Sequence, residues 1–175
     1  MQDVKTAIRF LRAHADQFQI DDKQIYSFGT SSGGNTSLLL GLTGDDSRFK
    51  TSEYAEYSDS VCAVIDCFGP TDLTAMMPQD PALLDPETSN MINAFCGGTY
   101  NPKILQLVSP IFYVEKGKNY VPFLIAHGNA DPLVPFSQSE QIGETVLKEL
   151  LVADVSFICV DHAEHEGSFW SLPLS

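Results

Sequence analysis

The sequence predicts an α/β fold: a parallel sheet of about four strands flanked by helices, with a helical and loop insertion between the second and third strands. Three observations predict it. Short apolar runs of strand length alternate with stretches of helical period. The run at 61–66 is apolar at consecutive positions, a pattern that suits a strand buried on both faces of a parallel sheet. Residues able to do chemistry follow three of the runs, at the carboxyl ends where parallel sheets place their sites. A length of 175 residues suits one domain, 1–175, with 69–120 as an insertion or lid-like region inside it.

The elements follow in order. In 3–18, Val4, Ala7, Ile8, Leu11, Ala15 and Phe18 recur at three- and four-residue steps and form one apolar helix face, with Asp3 as a fitting N-cap. Asp21 and Asp22 mark a turn, and 25–28 is a short strand that stops at Gly29. Gly33, Gly34 and Asn35 lead into a helix running to Gly41. The polar stretch 43–59 has no clean period and reads as helix and loop, and 61–66 is the second strand. Pro70, Pro78, Pro81, Pro86, Pro102 and Pro110 then break 69–120 into short pieces. The third strand is 121–126 and the fourth 155–160. Between them 137–151 is helical, with Ile142, Val146, Leu147, Leu150 and Leu151 on one face and Ser137 with Glu140 as a capping box.

Charge narrows the partners. There are 23 acidic and 10 basic residues, a formal charge of −13, which argues against nucleic acid or an anionic membrane. No apolar run approaches the roughly 20 residues of a membrane span. Met1 leads straight into the first helix without an apolar h-region, so no signal peptide is expected and a cytoplasmic chain is favoured. Cys62, Cys67, Cys96 and Cys159 match no zinc spacing and form no C-x-x-C pair; buried reduced thiols are the expectation.

The candidate chemistry begins at Gly29-Thr30-Ser31-Ser32-Gly33, a G-x-S-x-G motif between a strand and a helix. A sharp turn there lifts a serine above the sheet edge, and small neighbours let the backbone pass closely. Only Ser31 has glycine on both sides at two residues' distance; Ser32 is the weaker candidate. A serine needs a base, and the base needs an orienting carboxylate. Asp131 follows the third strand in a loop stiffened by prolines, and His162 and His165 follow the fourth. The order serine, aspartate, histidine is the one such hydrolases use. His14 reads as solvated, His127 as packing at a strand end, and Asp66 and Asp72 as braces for the loop around Gly69-Pro70. His162, Glu164, His165 and Glu166 lack a second ligand cluster, so neither metal nor cofactor is expected.

At these residues the chain resembles the α/β-hydrolase esterases and lipases, and within them the bacterial carbohydrate esterases of the acetyl-xylan and feruloyl type. DVKTAIRFLRAHADQF, IYSFGTSSGGNTSLLLGLTGD, FGPTDL, CGGTYNPKILQLVSPIFYV, LIAHGNADPLVPFSQSEQI and HAEHEGSFW carry the likeness over nearly the whole chain. The resemblance implies Ser31 as nucleophile, Asp131 as acid, the Ser32 amide as oxyanion donor and a small-molecule ester as substrate. It favours His165 over His162, because the histidine of the family's GA-x-HG motif, with FW beyond it, aligns with His165. His162 and Glu166 stand where that motif carries glycine. The family has about eight strands and an H-G-G-G-type oxyanion loop, whereas this chain resembles the last four strands and holds no H-G-G run. It therefore reads as a partial hydrolase fold. A prolyl-oligopeptidase-like peptidase is the alternative activity, and a catalytically weak fragment needing an N-terminal half is another. Such a fragment is expected to self-associate through the open edge of its first strand.

Overall fold

The computed structural model describes residues 1–77, 86–144 and 154–171. Four strands, β1 (Ser27–Thr30), β2 (Val64–Cys67), β3 (Phe123–Gly128) and β4 (Val155–Val160), form one parallel sheet in the order β1-β2-β3-β4. Ser27, Val64, Phe123 and Val155 stand side by side in register. The fourth strand lies where the sequence predicts it; the first three begin two or three residues later. Their leading apolar residues serve the core instead of the ladder: Val61 is buried, and the Cys62 amide donates to the Ile25 carbonyl ahead of the paired segment. The later ends put Thr30, His127 and Gly128 inside strands, directly under the loops that follow.

One face of the sheet carries the larger core, and the carboxyl half of the other carries a smaller one around Cys67, Ala126 and Val160. Val64, Phe123 and Ile125 are buried in the larger core against Leu38, Leu39 and Leu42 of α3 (Ser32–Leu42). On the opposite face the expectation that β2 is buried on both sides holds at Cys67, which is buried beside Ala126, and fails at Ile65. Phe28 and Ile65 are register partners and are 61% and 37% exposed.

The first helix corrects the sequence reading most. α1 (Gln2–Ala13) is capped by Met1, with Asp3 inside its first turn, where a carboxylate suits the positive helix end. The chain breaks at His14 before α2 (Ala15–Phe18). The buried face is Lys5, Ile8 and Arg9, while Val4, Leu11 and Phe18 of the predicted apolar face are exposed. The cause is Asp59, buried in the polar 43–59 stretch. Its two oxygens take Lys5 Nζ at 2.5 Å and Arg9 Nη1 at 2.9 Å. Lys5 also reaches the Thr43 carbonyl at 2.6 Å. The polar stretch is thus wound around buried cations.

Within 69–120 stand α4 (Pro86–Phe95), α5 (Pro102–Leu107) and a 3-10 turn (Pro110–Tyr113), with a small apolar cluster of Leu73, Ile92, Cys96 and Leu105. Pro78 and Pro81 lie outside the described residues. α6 is described over Ser137–Glu144; Ser137 is its first helical residue instead of its cap, and the Glu140 amide donates to the Phe136 carbonyl. The rest of the predicted helix, 145–151, lies outside the described residues. Cys67 and Cys96 are buried, whereas Cys62 and Cys159 are only partly so. Burial pushes the Cys67 thiol up to about 11. Among the described residues no helix is long and apolar enough to cross a membrane.

Candidate active site

Ser31 sits between β1 and α3 with φ 53° and ψ −121°, a conformation that costs an L-residue energy and must be held in place. Its amide donates to the Cys67 carbonyl at 2.9 Å, and its carbonyl accepts from the Asn35 amide at 3.0 Å. Gly29 permits the turn, since a β-carbon there would stand 2.1 Å from the Gly33 carbonyl oxygen. Gly34 permits it from the other side, where a β-carbon would meet an Asp66 carboxylate oxygen at 2.1 Å. Ser32 opens α3, and amides of a first helical turn have no carbonyl of their own helix to bond.

Asp131 lies in the loop after β3 with its side chain fully buried. Oδ1 accepts from the Leu133 and Val134 amides at 2.8 and 2.9 Å. Oδ2 faces His165 Nδ1 at 2.6 Å, and His165 Nε2 lies 3.0 Å from Ser31 Oγ. A carboxylate at Nδ1 requires the proton there, which leaves Nε2 free to accept the serine hydroxyl. The His165 ring packs edge-on against Phe68, with ring centres 4.7 Å apart, and Phe68 is itself fully buried. His162 points elsewhere. It is 87% exposed, with Nε2 3.3 Å from Asp161. Of the two candidate histidines, the structure brings His165 to Ser31 and Asp131.

His127 is closer to this group than the sequence reading allowed. It packs at a strand end as expected, yet Nε2 also lies 3.3 Å from Asp131 Oδ2. The spacing of four residues between His127 and Asp131, spanning the end of β3, is the signal in the sequence. Asp66 braces the next loop by accepting the Gly69 amide at 3.0 Å through Oδ1, while Oδ2 has no partner among the described residues. Burial pushes its carboxyl up to about 7. Asp72 accepts the Thr74 and Ala75 amides. His14, read as solvated, stacks among Phe10, Phe18 and Tyr54. Beside Ser31 and Ser32 opens a small recess of about 30 Å³, walled by Pro70, Leu73, Ile92 and Leu133 among others.

A parallel sheet with serine, histidine and aspartate gathered over its carboxyl edge marks the α/β-hydrolase class of esterases. Within that class the chain belongs to the BD-FAE family, whose model matches residues 1–146. It is 32% identical to Esterase LipC of Mycobacterium tuberculosis over 165 residues, 93% of this chain and 40% of that protein. It is also similar to the solved truncated carbohydrate esterase from gut microbiota, at 32% identity and a TM-score of 0.78, covering 96% of this chain and 62% of that one. The bifunctional GH43-CE protein of Bacteroides eggerthii matches at 31% identity and a TM-score of 0.80, over 97% of this chain and 23% of that one. The chain spans about two fifths of the length of the curated mycobacterial relatives it matches. LipC and the gut-microbiota protein are named esterases, and neither is named a peptidase.

Proposed function

We propose that this chain carries the reacting groups of a serine carboxylic-ester hydrolase. The observation that supports it is the continuous chain of hydrogen bonds from Asp131 Oδ2 through His165 to Ser31 Oγ, at 2.6 and 3.0 Å. In this reading His165 Nε2 takes the Ser31 proton as Oγ attacks the ester carbonyl, and the Ser32 amide donates to the oxyanion. The imidazolium, held by Asp131, then protonates the departing alcohol. Water, activated by the same ring, releases the acid from the acyl-serine.

The recess takes the acyl side. It borders Ser31 and Ser32 but not His165, and the leaving alcohol has to face His165 to be protonated. Its outer wall comes from the 69–120 region, which in this reading acts as a lid-like part of one domain. Among the described residues the Ser32 amide is the single oxyanion donor in this reading, and losing a second costs about 3–4 kcal/mol in known hydrolases, so turnover by this chain alone is slow. The β1 edge, with Tyr26 and Phe28 about 60% exposed beside it, favours self-association.

A fluorophosphonate probe followed by peptide mass spectrometry tests the nucleophile. Labelling maps to Ser31, disappears in Ser31→Ala and persists in Ser32→Ala. Label that survives Ser31→Ala and is lost in Ser32→Ala reverses the assignment. Aryl esters are cleaved in preference to dipeptide amides, and Asp131→Asn lowers the rate by several orders of magnitude. Light scattering on a sizing column checks association; a monodisperse monomer with ordinary esterase turnover counts against both the weak-catalysis and the edge-association parts.

A further inference from the structure

We infer that His127 is a positioning residue for the Asp131–His165 pair, a role that rests on the hydrolase reading above. The observations are geometric. His127 is fully buried and its two ring nitrogens have separate partners. Nε2 lies 3.0 Å from the Val134 carbonyl oxygen, which can only accept, so Nε2 carries the proton. Nδ1 then accepts from the Ser139 hydroxyl of α6 at 2.6 Å. Beyond that bond, Nε2 lies 3.3 Å from Asp131 Oδ2, the same oxygen that takes His165 Nδ1 at 2.6 Å. One carboxylate oxygen is therefore flanked by two histidines, one facing the serine and one behind it.

Burial keeps His127 neutral against the pull of the Asp131 carboxylate and the Val134 carbonyl. The Phe68 and Phe136 rings, Ser139 and Val134 carry no charge, which leaves Asp131 and His165 as the titratable groups it faces among the described residues. Burial holds its own basicity below the usual histidine range. A neutral N–H group 3.3 Å from Oδ2 turns the positive end of its dipole toward that side of the loop and offsets part of the carboxylate's charge. It also ties the 131–134 loop to β3 and α6 through Val134 and Ser139. Without the donor more negative charge faces His165, the imidazolium is favoured, and the free base forms only at higher pH.

The experiment is the pH dependence of fluorophosphonate labelling at Ser31 in the wild type, His127→Leu and His127→Gln. Glutamine retains an amide donor where Nε2–H stood. In His127→Leu the acid limb moves up by about 0.5–1 pH unit, the size of one hydrogen bond, and His127→Gln restores it. Slower labelling at every pH with an unmoved limb means a purely structural role and overturns the inference. Absence of wild-type labelling overturns the hydrolase reading and this role with it. Nitrogen-15 spectra of the histidine rings in the wild-type chain give a second measurement that needs no variant to fold. His127 reads as the neutral Nε2–H form from pH 6 to 8; an Nδ1–H form, or a proton gained at pH 6, overturns the inference.

Discussion

Ser31 and Glu166 share one backbone conformation: φ 53° and ψ −121° at the first, φ 58° and ψ −119° at the second. Each stands immediately before a helical turn. At Ser31 this geometry raises a hydroxyl toward His165; at Glu166 it swings the chain away from His165 into the turn Gly167–Trp170. His162, on the other side of His165, also has a positive φ, of 59°. The two places where this chain departs from the glycines of its family motif are thus left-handed positions, and the cost of a side chain there is real. Glu166→Gly raises unfolding stability by about 1 kcal/mol, after the greater freedom of glycine in the unfolded chain is offset. Urea melts measure it; a lowered midpoint contradicts the account.

The two glycines of the G-x-S-x-G motif differ in what they do. Gly29 has the Gly33 carbonyl in the way of any side chain, whereas Gly33 has open space around it and no positive φ. Gly29→Ala therefore displaces the turn and abolishes serine labelling. Gly33→Ala folds and labels, and gains up to about 1 kcal/mol of helix propensity. Equal damage from both substitutions would show that the motif is needed for something other than backbone clearance.

Lys5, Arg9 and Asp59 form a buried cluster of two cations on one carboxylate. Removing the shared anion strands both cations, so Asp59→Ala destabilises by about 3–5 kcal/mol. Raising the salt concentration does not reproduce that loss in the wild type, because counterions reach buried pairs poorly. A midpoint within 1 kcal/mol of wild type in denaturant titration would refute it.

Asp66 gives the fold an adverse dependence on pH. Burial pushes its folded carboxyl up to about 7, against 3.8 for a free aspartate, so the folded state holds the proton more tightly than the unfolded chain. The penalty is absent below the unfolded value, grows as pH rises between the two, and is complete above 7. Asp66→Asn keeps an oxygen for the Gly69 amide and removes the charge. Relative to wild type it gains roughly 2–3 kcal/mol between pH 5 and pH 8. Denaturant curves at the two pH values check the difference; a constant gap would mean that Asp66 does not titrate in that range.

The legible parts of this protein were those set by local pattern. The apolar run of β4 has its ladder where its residues say, and the serine, aspartate and histidine follow from what stands after each strand. What stayed hidden depends on distant partners. The face of α1 is chosen by Asp59, fifty residues away, and an apolar period cannot announce a buried ion pair. The starts of β1 and β2 depend on which residues find a ladder neighbour, and Val61 and Ile25 do their packing before pairing begins. His127 looked like a packing residue because its second contact is made across a turn that only the folded loop closes.

The parallel register has a consequence for measurement. Ser31, Asp131 and His165 leave the ends of β1, β3 and β4, with β2 between the first two. A strand advances about 3.3 Å per residue, so a slip of one residue in any pairing moves a group by more than the 3.0 Å that separates His165 from Ser31. Reactivity of a single hydroxyl is therefore a gauge of the alignment of the whole sheet, readable at concentrations where spectroscopy of the backbone is blind.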